Sequence, residues 1–311
     1  MWQFSGVKII LAGGTGFIGR ALLRRLLDDG HDVVLLSRSA HPFTGFHHDR
    51  LRTVAWDGQS PGEWTRQFDG ADAVVNLSGA GIADGRWSAG RKRLLVESRL
   101  KSTHALVTAM LGARPKPQVF VCASAVGYYG DVPSGEVAES APQGRDFLAD
   151  LCGQWEKAAM EAQELGVRVV CARIGVVLAL EGGALGKFIP PFKAFIGGPL
   201  GSGRQAFPWI HRDDVAGAIA HLISNKHVRG PVNLTAPETL TMRQFCDELG
   251  RAMRRPSWLP VPGFALRLLL GELAGMVLTG QRAVPAKLAQ SGYAFKYPHA
   301  NQALAEIFAH A

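Results

Sequence analysis

Gly13-Gly14-Thr15-Gly16-Phe17-Ile18-Gly19 can hold a phosphate with backbone alone. Glycine has no Cβ, so Gly13 and Gly16 can take the positive φ of a tight turn and leave their amides open. A helix beginning directly behind such a turn aims free N–H groups and its positive dipole end at whatever anion sits there. Gly19, one turn further on, lets that helix lie close to the sheet. The flanks agree. Val7-Lys8-Ile9-Ile10-Leu11-Ala12 reads as a buried strand, and Arg20-Ala21-Leu22-Leu23-Arg24-Arg25-Leu26-Leu27 follows at helical spacing. The alternative is a bare strand-turn-helix corner; the context on both sides favours the pyrophosphate of a dinucleotide.

A second strand, Asp32-Val33-Val34-Leu35-Leu36, ends at Ser37-Arg38. An acidic residue about 20 positions past the glycines would grip a ribose 2′-hydroxyl. Here Arg38 stands instead, and a guanidinium there pairs with a 2′-phosphate and stacks on adenine. Ser37 adds a hydroxyl donor. The pattern therefore predicts NADPH/NADP over NADH, with a solvated loop arginine as the other reading of Arg38. Further along, Ser124 ends the apolar run Phe120-Val121-Cys122-Ala123, and Tyr128 and Tyr129 follow on the same loop. These hydroxyls can hydrogen-bond a carbonyl oxygen; equally, Ser124 can satisfy loop backbone and the tyrosines can pack a pocket wall.

Strand and helix patterns alternate to position these groups. Strands are predicted at 51–56, 73–77, 118–123, 167–172, 207–210 and 232–235, with helices at 88–111, 147–165 and 212–224. That is the signature of a parallel sheet wrapped by helices. The segment that follows the fourth strand, Asn76 to Gly81 with Leu77, Ser78 and Gly79, should line the ribose side of the cofactor. From Gly175 to Gly203 the chain turns glycine- and proline-rich and reads as loops around one short helix. The last seventy residues are helical with proline breaks. The expected class is α/β, a Rossmann-type doubly wound parallel sheet with a smaller, mostly helical C-terminal cap. The expected division is a dinucleotide-binding domain over 1–175, completed by about 206–235, with a substrate cap from 176–205 and 236–311.

A hydrophobic share of 47% against 19% charged residues excludes a disordered chain. The net charge of +8 suits an anionic ligand, yet its densest cluster, Arg86 to Lys101, lacks the aromatic interleaving of a nucleic-acid platform. Nucleic acid is therefore not expected as a partner. The four cysteines are scattered without metal spacing, so no metal site and a reducing compartment are expected. The first strand starts close to Met1, leaving no room for a signal peptide, and Phe264 to Val277 is too short and too charged to span a bilayer. The expectation is a soluble, cytoplasmic protein without membrane contact.

The glycine turn, Ser124, Tyr129-Gly130-Asp131 and Trp209-Ile210-His211-Arg212-Asp213-Asp214-Val215-Ala216 resemble the extended short-chain dehydrogenase/reductase family. Val75 to Ile82, Arg86-Trp87-Ser88, Ser124 to Gly130, Asp146 to Ala149 and Leu278 to Leu288 are similar to its atypical "epimerase family" branch. The resemblance implies an NADP(H)-binding Rossmann domain, a small-molecule substrate under the cap, and a possible homodimer through the helices at about 91–111 and 147–165. It also implies that Asp57 can accept from the adenine amino group, although a turn aspartate fits equally well. His211 is a core-edge histidine or a ligand residue, and Asp214 is expected to cap a helix. Lys187, Arg204, Arg86 and Arg91 are either solvated or turned toward an anionic substrate.

The family pairs a tyrosine with a lysine four residues later. No tyrosine of this chain has that lysine, and alignment through Trp155-Glu156 puts Leu148 and Cys152 in the two places. A tyrosine without the lysine stays protonated near neutral pH. It then serves carbonyl reduction better than alcohol oxidation. Two readings remain: an NADPH-dependent oxidoreductase or epimerase-like enzyme acting on a small carbonyl substrate, or a non-catalytic NADP(H)-binding sensor.

Overall fold

The computed structural model describes residues 6–39 and 47–309. Seven parallel strands form one sheet: β1 (Lys8–Ala12), β2 (Asp32–Ser37), β3 (Leu51–Ala55), β4 (Ala73–Asn76), β5 (Val119–Ala125), then, after a two-residue strand β6 (Glu136–Val137), β7 (Arg168–Ile174), and finally Gly230–Leu234. Numbering onward in chain order, β8 is Val176–Leu178, β9 Ala206–Phe207, β10 Trp209–His211 and β11 Gly230–Leu234. The sheet order β11-β7-β5-β4-β1-β2-β3 reverses direction between β1 and β4. At that switch a crevice opens beyond the carboxyl ends of the strands.

Helices α1 (Phe17–Asp28), α2 (Ala89–Gly112), α3 (Phe147–Met160) and, later in the chain, Arg212–Ser224 cover the sheet. Right-handed crossovers send α1 to one face and α2 and α3 to the other. The strands are buried on both faces, which is why they read as unbroken apolar runs: Ile9 to Ala12, Val33 to Leu36 and Val119 to Cys122 are all inaccessible or nearly so. α1 meets them with Leu22, Leu23, Leu26 and Leu27. Ser88 starts α2 by accepting from the Arg91 amide at 3.2 Å, and Asp146 starts α3 by accepting from Ala149 at 2.9 Å. The predicted helix over 147–165 is α-helical only to Met160 and finishes as a tighter turn over Glu161–Leu165.

A second apolar cluster lies beyond the sheet. It gathers Leu178, Phe188 and Phe192 from the glycine-rich segment, Phe207 and Trp209 from β9 and β10, and Phe245, Leu249 and Leu304 from the C-terminal region. It draws on the helices α4 (Leu185–Lys193) and α6 (Met242–Met253); between them in the chain α5, the Arg212–Ser224 helix, packs on the sheet, and α7 (Gly263–Leu270) follows α6. One strand here was not anticipated: β8 pairs in parallel with β10. Three residues directly behind Gly175 are too few to show a period in sequence. No helix among the described residues is long and apolar enough to cross a membrane.

Candidate functional site

The glycine turn sits at the switch point. Gly13 has φ of 79°, and a Cβ there would stand 2.5 Å from the Leu77 carbonyl carbon, so the turn and the β4 loop touch backbone to backbone. A side chain at Gly19 would run into Gly13 and Gly14, which is how α1 closes on the turn. Gly16 accepts from the Arg20 amide and donates to Gly13, and α1 has no side-chain cap at its start. The first-turn amides of a twelve-residue helix are thus left facing the crevice. These residues fit a dinucleotide pyrophosphate. Thr15 keeps its carbonyl on the Arg20 guanidinium at 3.0 Å. Ile18 leans on the main core, and the Phe17 ring lies under Gly182 and Gly183 of the loop before α4.

At the end of β2, Ser37 is nearly buried and accepts from the Ser39 amide at 3.2 Å. Arg38 is exposed beside it. Asp57 is exposed too, but its Oδ1 accepts from the Gln59 and Ser60 amides at 2.9 and 2.8 Å, and these donors hold its carboxyl below the usual range. It builds a turn, leaving Oδ2 for any ligand. On the other side, Asn76 Oδ1 accepts from the Ser78 amide at 3.0 Å while its Nδ2 donates to Thr103, fixing the path of Leu77, Ser78 and Gly79 past the turn.

The reacting end was expected around Ser124, Tyr128 and Tyr129. Ser124, Arg173 and Asn233 stand side by side on β5, β7 and β11. Ser124 Oγ donates to Glu156 Oε1 at 2.7 Å, and Glu156 takes Arg173 in a two-point ion pair at 2.8 Å on each arm. Arg173 Nη1 donates to Tyr129 Oη at 2.9 Å, and Tyr129 Oη donates a hydrogen bond to Asn233 Oδ1 at 2.7 Å. Asn233 Nδ2 in turn reaches the Val137 and Val284 carbonyls. Tyr129 is buried, and desolvation pushes its phenol above the usual range despite the nearby guanidinium. Tyr128 lies flat against Arg173, with Cζ 3.4 Å from the ring centre, and is half-exposed. Its hydroxyl has no hydrogen-bond partner among the described residues. Leu148 packs toward Gly127, and the neighbouring Cys152 is a buried thiol pushed up to about 11 by desolvation. Neither can act as a base.

Glu156 and Arg173 were not singled out from sequence. The available signal was an arginine inside Arg168-Val169-Val170-Cys171-Ala172-Arg173-Ile174, a strand otherwise wholly apolar after its first residue. Such a residue must find a counter-ion.

The cap is tied across the crevice. Lys187 Nζ on α4 donates to the Ala83 carbonyl at 2.9 Å, and Arg86 donates to the Leu268 carbonyl on α7 at 3.0 Å. Arg91 donates to the Gly81 carbonyl, so Lys187, Arg86 and Arg91 are all engaged at the mouth, while the Arg204 side chain is exposed. His211 is a core-edge residue: Nδ1 accepts from the Asp213 amide at 3.1 Å, which leaves the proton on Nε2 facing Glu306. Asp214 does not cap a helix as expected: His211 holds the cap position of α5, and Asp214, the third residue of that helix, turns to the C-terminal segment instead. Its carboxylate accepts from the Lys296 amide at 2.7 Å, the Tyr297 amide at 2.9 Å and Tyr293 Oη at 3.1 Å, fastening the C-terminal segment to α5.

Residues 9–234 match the NAD dependent epimerase/dehydratase family. The chain belongs to that family. Residues 261–307, the segment fastened by Asp214, match a domain of unknown function, DUF1731. Family members alike over nearly the whole length include the chloroplastic epimerase family protein SDR39U1 homolog of Arabidopsis thaliana, 41% identical over 97% of this chain and 87% of its own. Epimerase family protein YfhF of Bacillus subtilis is 37% identical over 97% and 98%. Among solved structures of the family, the human epimerase family protein SDR39U1, crystallised with NADPH, superposes with a TM-score of 0.86 at 34% identity, covering 98% of this chain and all of that one.

Proposed function

We propose that the chain is an NADPH-dependent oxidoreductase that reduces a small carbonyl compound held under the cap. Support for the cofactor comes from the glycine turn, from Ser37 and Arg38 without a carboxylate at the end of β2, and from the NADPH in the human relative. Gly13 to Gly19 would hold the pyrophosphate, Arg38 the 2′-phosphate, and Leu77 to Gly79 the ribose side. Bound NADPH supplies a hydride. The observation carrying the direction of reaction is the free hydroxyl of Tyr128 beside a position where Leu148 and Cys152 offer no base. A neutral phenol polarises a carbonyl as a donor; alcohol oxidation would need a group to take the proton. The four cysteines are free and buried, which supports a reducing, cytoplasmic setting.

Consumption of NADPH near pH 7, followed against a panel of ketones and aldehydes, tests the reading. Tyr128→Phe should lower kcat/KM about 100-fold, within the range for a lost proton donor. Faster oxidation of alcohols with NADP⁺ than reduction of the matching ketones, or an unchanged Tyr128→Phe, would overturn it.

One observation favours a second reading, a non-catalytic NADP(H) sensor: Ser124 and Tyr129 spend their protons on Glu156 and Asn233 inside the protein. In that case no carbonyl in the panel consumes NADPH, and limited proteolysis of the cap differs between the NADPH and NADP⁺ forms.

A further inference from the structure

Ten large apolar side chains are exposed among the described residues, and eight of them fall in two short stretches of the cap, 195–196 and 258–276. On α7, Phe264 and Leu268 stand one turn apart with Leu269 beside them, 74, 79 and 70% exposed, while Leu266 turns inward. Just ahead of that helix, Trp258 and Leu259 lie against the turn after α4. The Trp258 indole donates to the Phe195 carbonyl at 2.9 Å, and the amides of both residues reach the Gly197 carbonyl. Phe195 takes φ of 63°, a left-handed backbone that a bulky residue rarely adopts, and its ring stands exposed beside Ile196. Scattered surface leucines need no account, but apolar groups collected in this way mark a contact surface.

Charge identifies what that surface meets. Between Glu181 and Asp213, and again between Glu248 and Glu272, the chain has no acidic residue, while each stretch carries four lysines or arginines. Glu181 and Glu248, at the borders, are already paired with Arg212 and Arg251. Lys193, Arg254 and Arg267 flank the apolar side chains, are exposed, and form no ion pair among the described residues. A second copy packed face to face would set these same cations against one another. An anionic lipid surface suits both halves of the pattern: apolar side chains enter the acyl boundary and long cationic ones stay with the headgroup phosphates. The stretch from Phe264 to Val277 is too short to span a bilayer, but a helix of one exposed apolar face needs only to lie on it. We propose that the cap docks on an anionic membrane surface through Phe264, Leu268 and Leu269, with Trp258 and Phe195 at the headgroups and Lys193, Arg254 and Arg267 on the lipid phosphates. Arg86 holds the Leu268 carbonyl and Lys92 pairs with Glu272, so the docked face adjoins the mouth of the crevice. Docking requires no particular reaction inside it.

Flotation of the full chain with two sets of vesicles is the test, one of phosphatidylcholine alone and one with about a third phosphatidylserine. The protein should float with the anionic set and bind the neutral set about tenfold less or weaker still. Leu268→Gln with Leu269→Gln should lower binding to the anionic vesicles by about tenfold or more, since two leucines then no longer leave water. Both side chains point outward, so the NADPH Kd of that double variant should stay within about twofold of wild type. A wild-type protein that floats with neither set would overturn the proposal, as would equal flotation with both or a double variant that floats like wild type. Two further results would assign the face to another occupant and overturn it equally. One is binding to polyglutamate in preference to the anionic vesicles, which marks an acidic protein. The other is a wild-type dimer in sedimentation equilibrium that the double variant reduces to monomer, which marks a second copy.

Discussion

Glu156→Gln keeps the shape of the side chain and removes only its charge, at a place where charge is nearly all that matters. Arg173 is 3% exposed and Glu156 11%, so water cannot stand in for the lost oxygen. The carboxylate accepts Nε and Nη2 of Arg173 and Oγ of Ser124; a glutamine can accept on one atom, and its NH₂ then faces a guanidinium donor. Breaking one side of a buried pair costs about 3–5 kcal/mol. With a urea slope of about 3 kcal/mol/M, the unfolding midpoint should fall by about 1–1.7 M. Removing both charges, in Glu156→Leu with Arg173→Met, should recover most of that loss, because two apolar groups of similar size leave no orphaned ion. Chemical denaturation of the single and double variants reads both numbers. A midpoint within about 0.3 M of wild type for Glu156→Gln would show that the pair is worth no more than an exposed one, and the account of this network would fail.

Arg38→Ala should lower NADPH affinity by about 10- to 100-fold while leaving NADH nearly unchanged, the value of one hydrogen-bonded charge at a 2′-phosphate; fluorescence titration of both cofactors gives the ratio, and a constant ratio refutes the assignment. Asp214→Ala should strip the Lys296 and Tyr297 amides of their acceptor and raise hydrogen exchange across Tyr293 to Tyr297 by about tenfold or more, readable by mass spectrometry. Burial holds the His211 imidazole below the usual 6.5 despite Asp213, Glu306 and Asp214, so the folded protein takes up that proton less readily than the unfolded chain. Stability from this residue is therefore complete above about pH 6.5 and is lost as pH falls through the lowered folded value; urea midpoints at pH 7.5 and 5.5 should drop less in His211→Gln than in wild type.

The dinucleotide half of the fold was legible because local rules determine it. A wholly buried strand, a turn that only glycine can make and a helix with leucines at one face each leave a mark within a few residues, and β1 to α1 lies within a residue or so of where the sequence put it. Switching order across the sheet follows from the alternation of strand and helix. What stayed hidden depends on partners far apart in the chain. Ser124, Glu156, Arg173, Tyr129 and Asn233 come from three strands, a helix and a loop, and no spacing joins them. Hence sequence could not tell which of the three candidate hydroxyls is engaged inside the protein; among the described residues Ser124 and Tyr129 are, and Tyr128 is not. The missing tyrosine–lysine pair, by contrast, was visible at once, since four-residue spacing is a property of one helix.

The closing stretch around residue 284 has a bearing on how the molecule is made. Synthesis has delivered all seven sheet strands once residue 234 has emerged, and the Rossmann core can close around them. Asn233, on the last strand, still lacks the Val284 carbonyl that takes its side-chain amide, and Thr235 lacks Ala283. Asp214 likewise waits for residues 293–297. A nascent chain therefore carries a finished sheet with unsatisfied polar groups along one edge for the time it takes to translate some fifty residues more, on the order of several seconds at cellular rates. Over that interval the edge at Asn233 and Thr235 is open to water, and it closes only when the final segment swings back to supply the Val284 and Ala283 carbonyls.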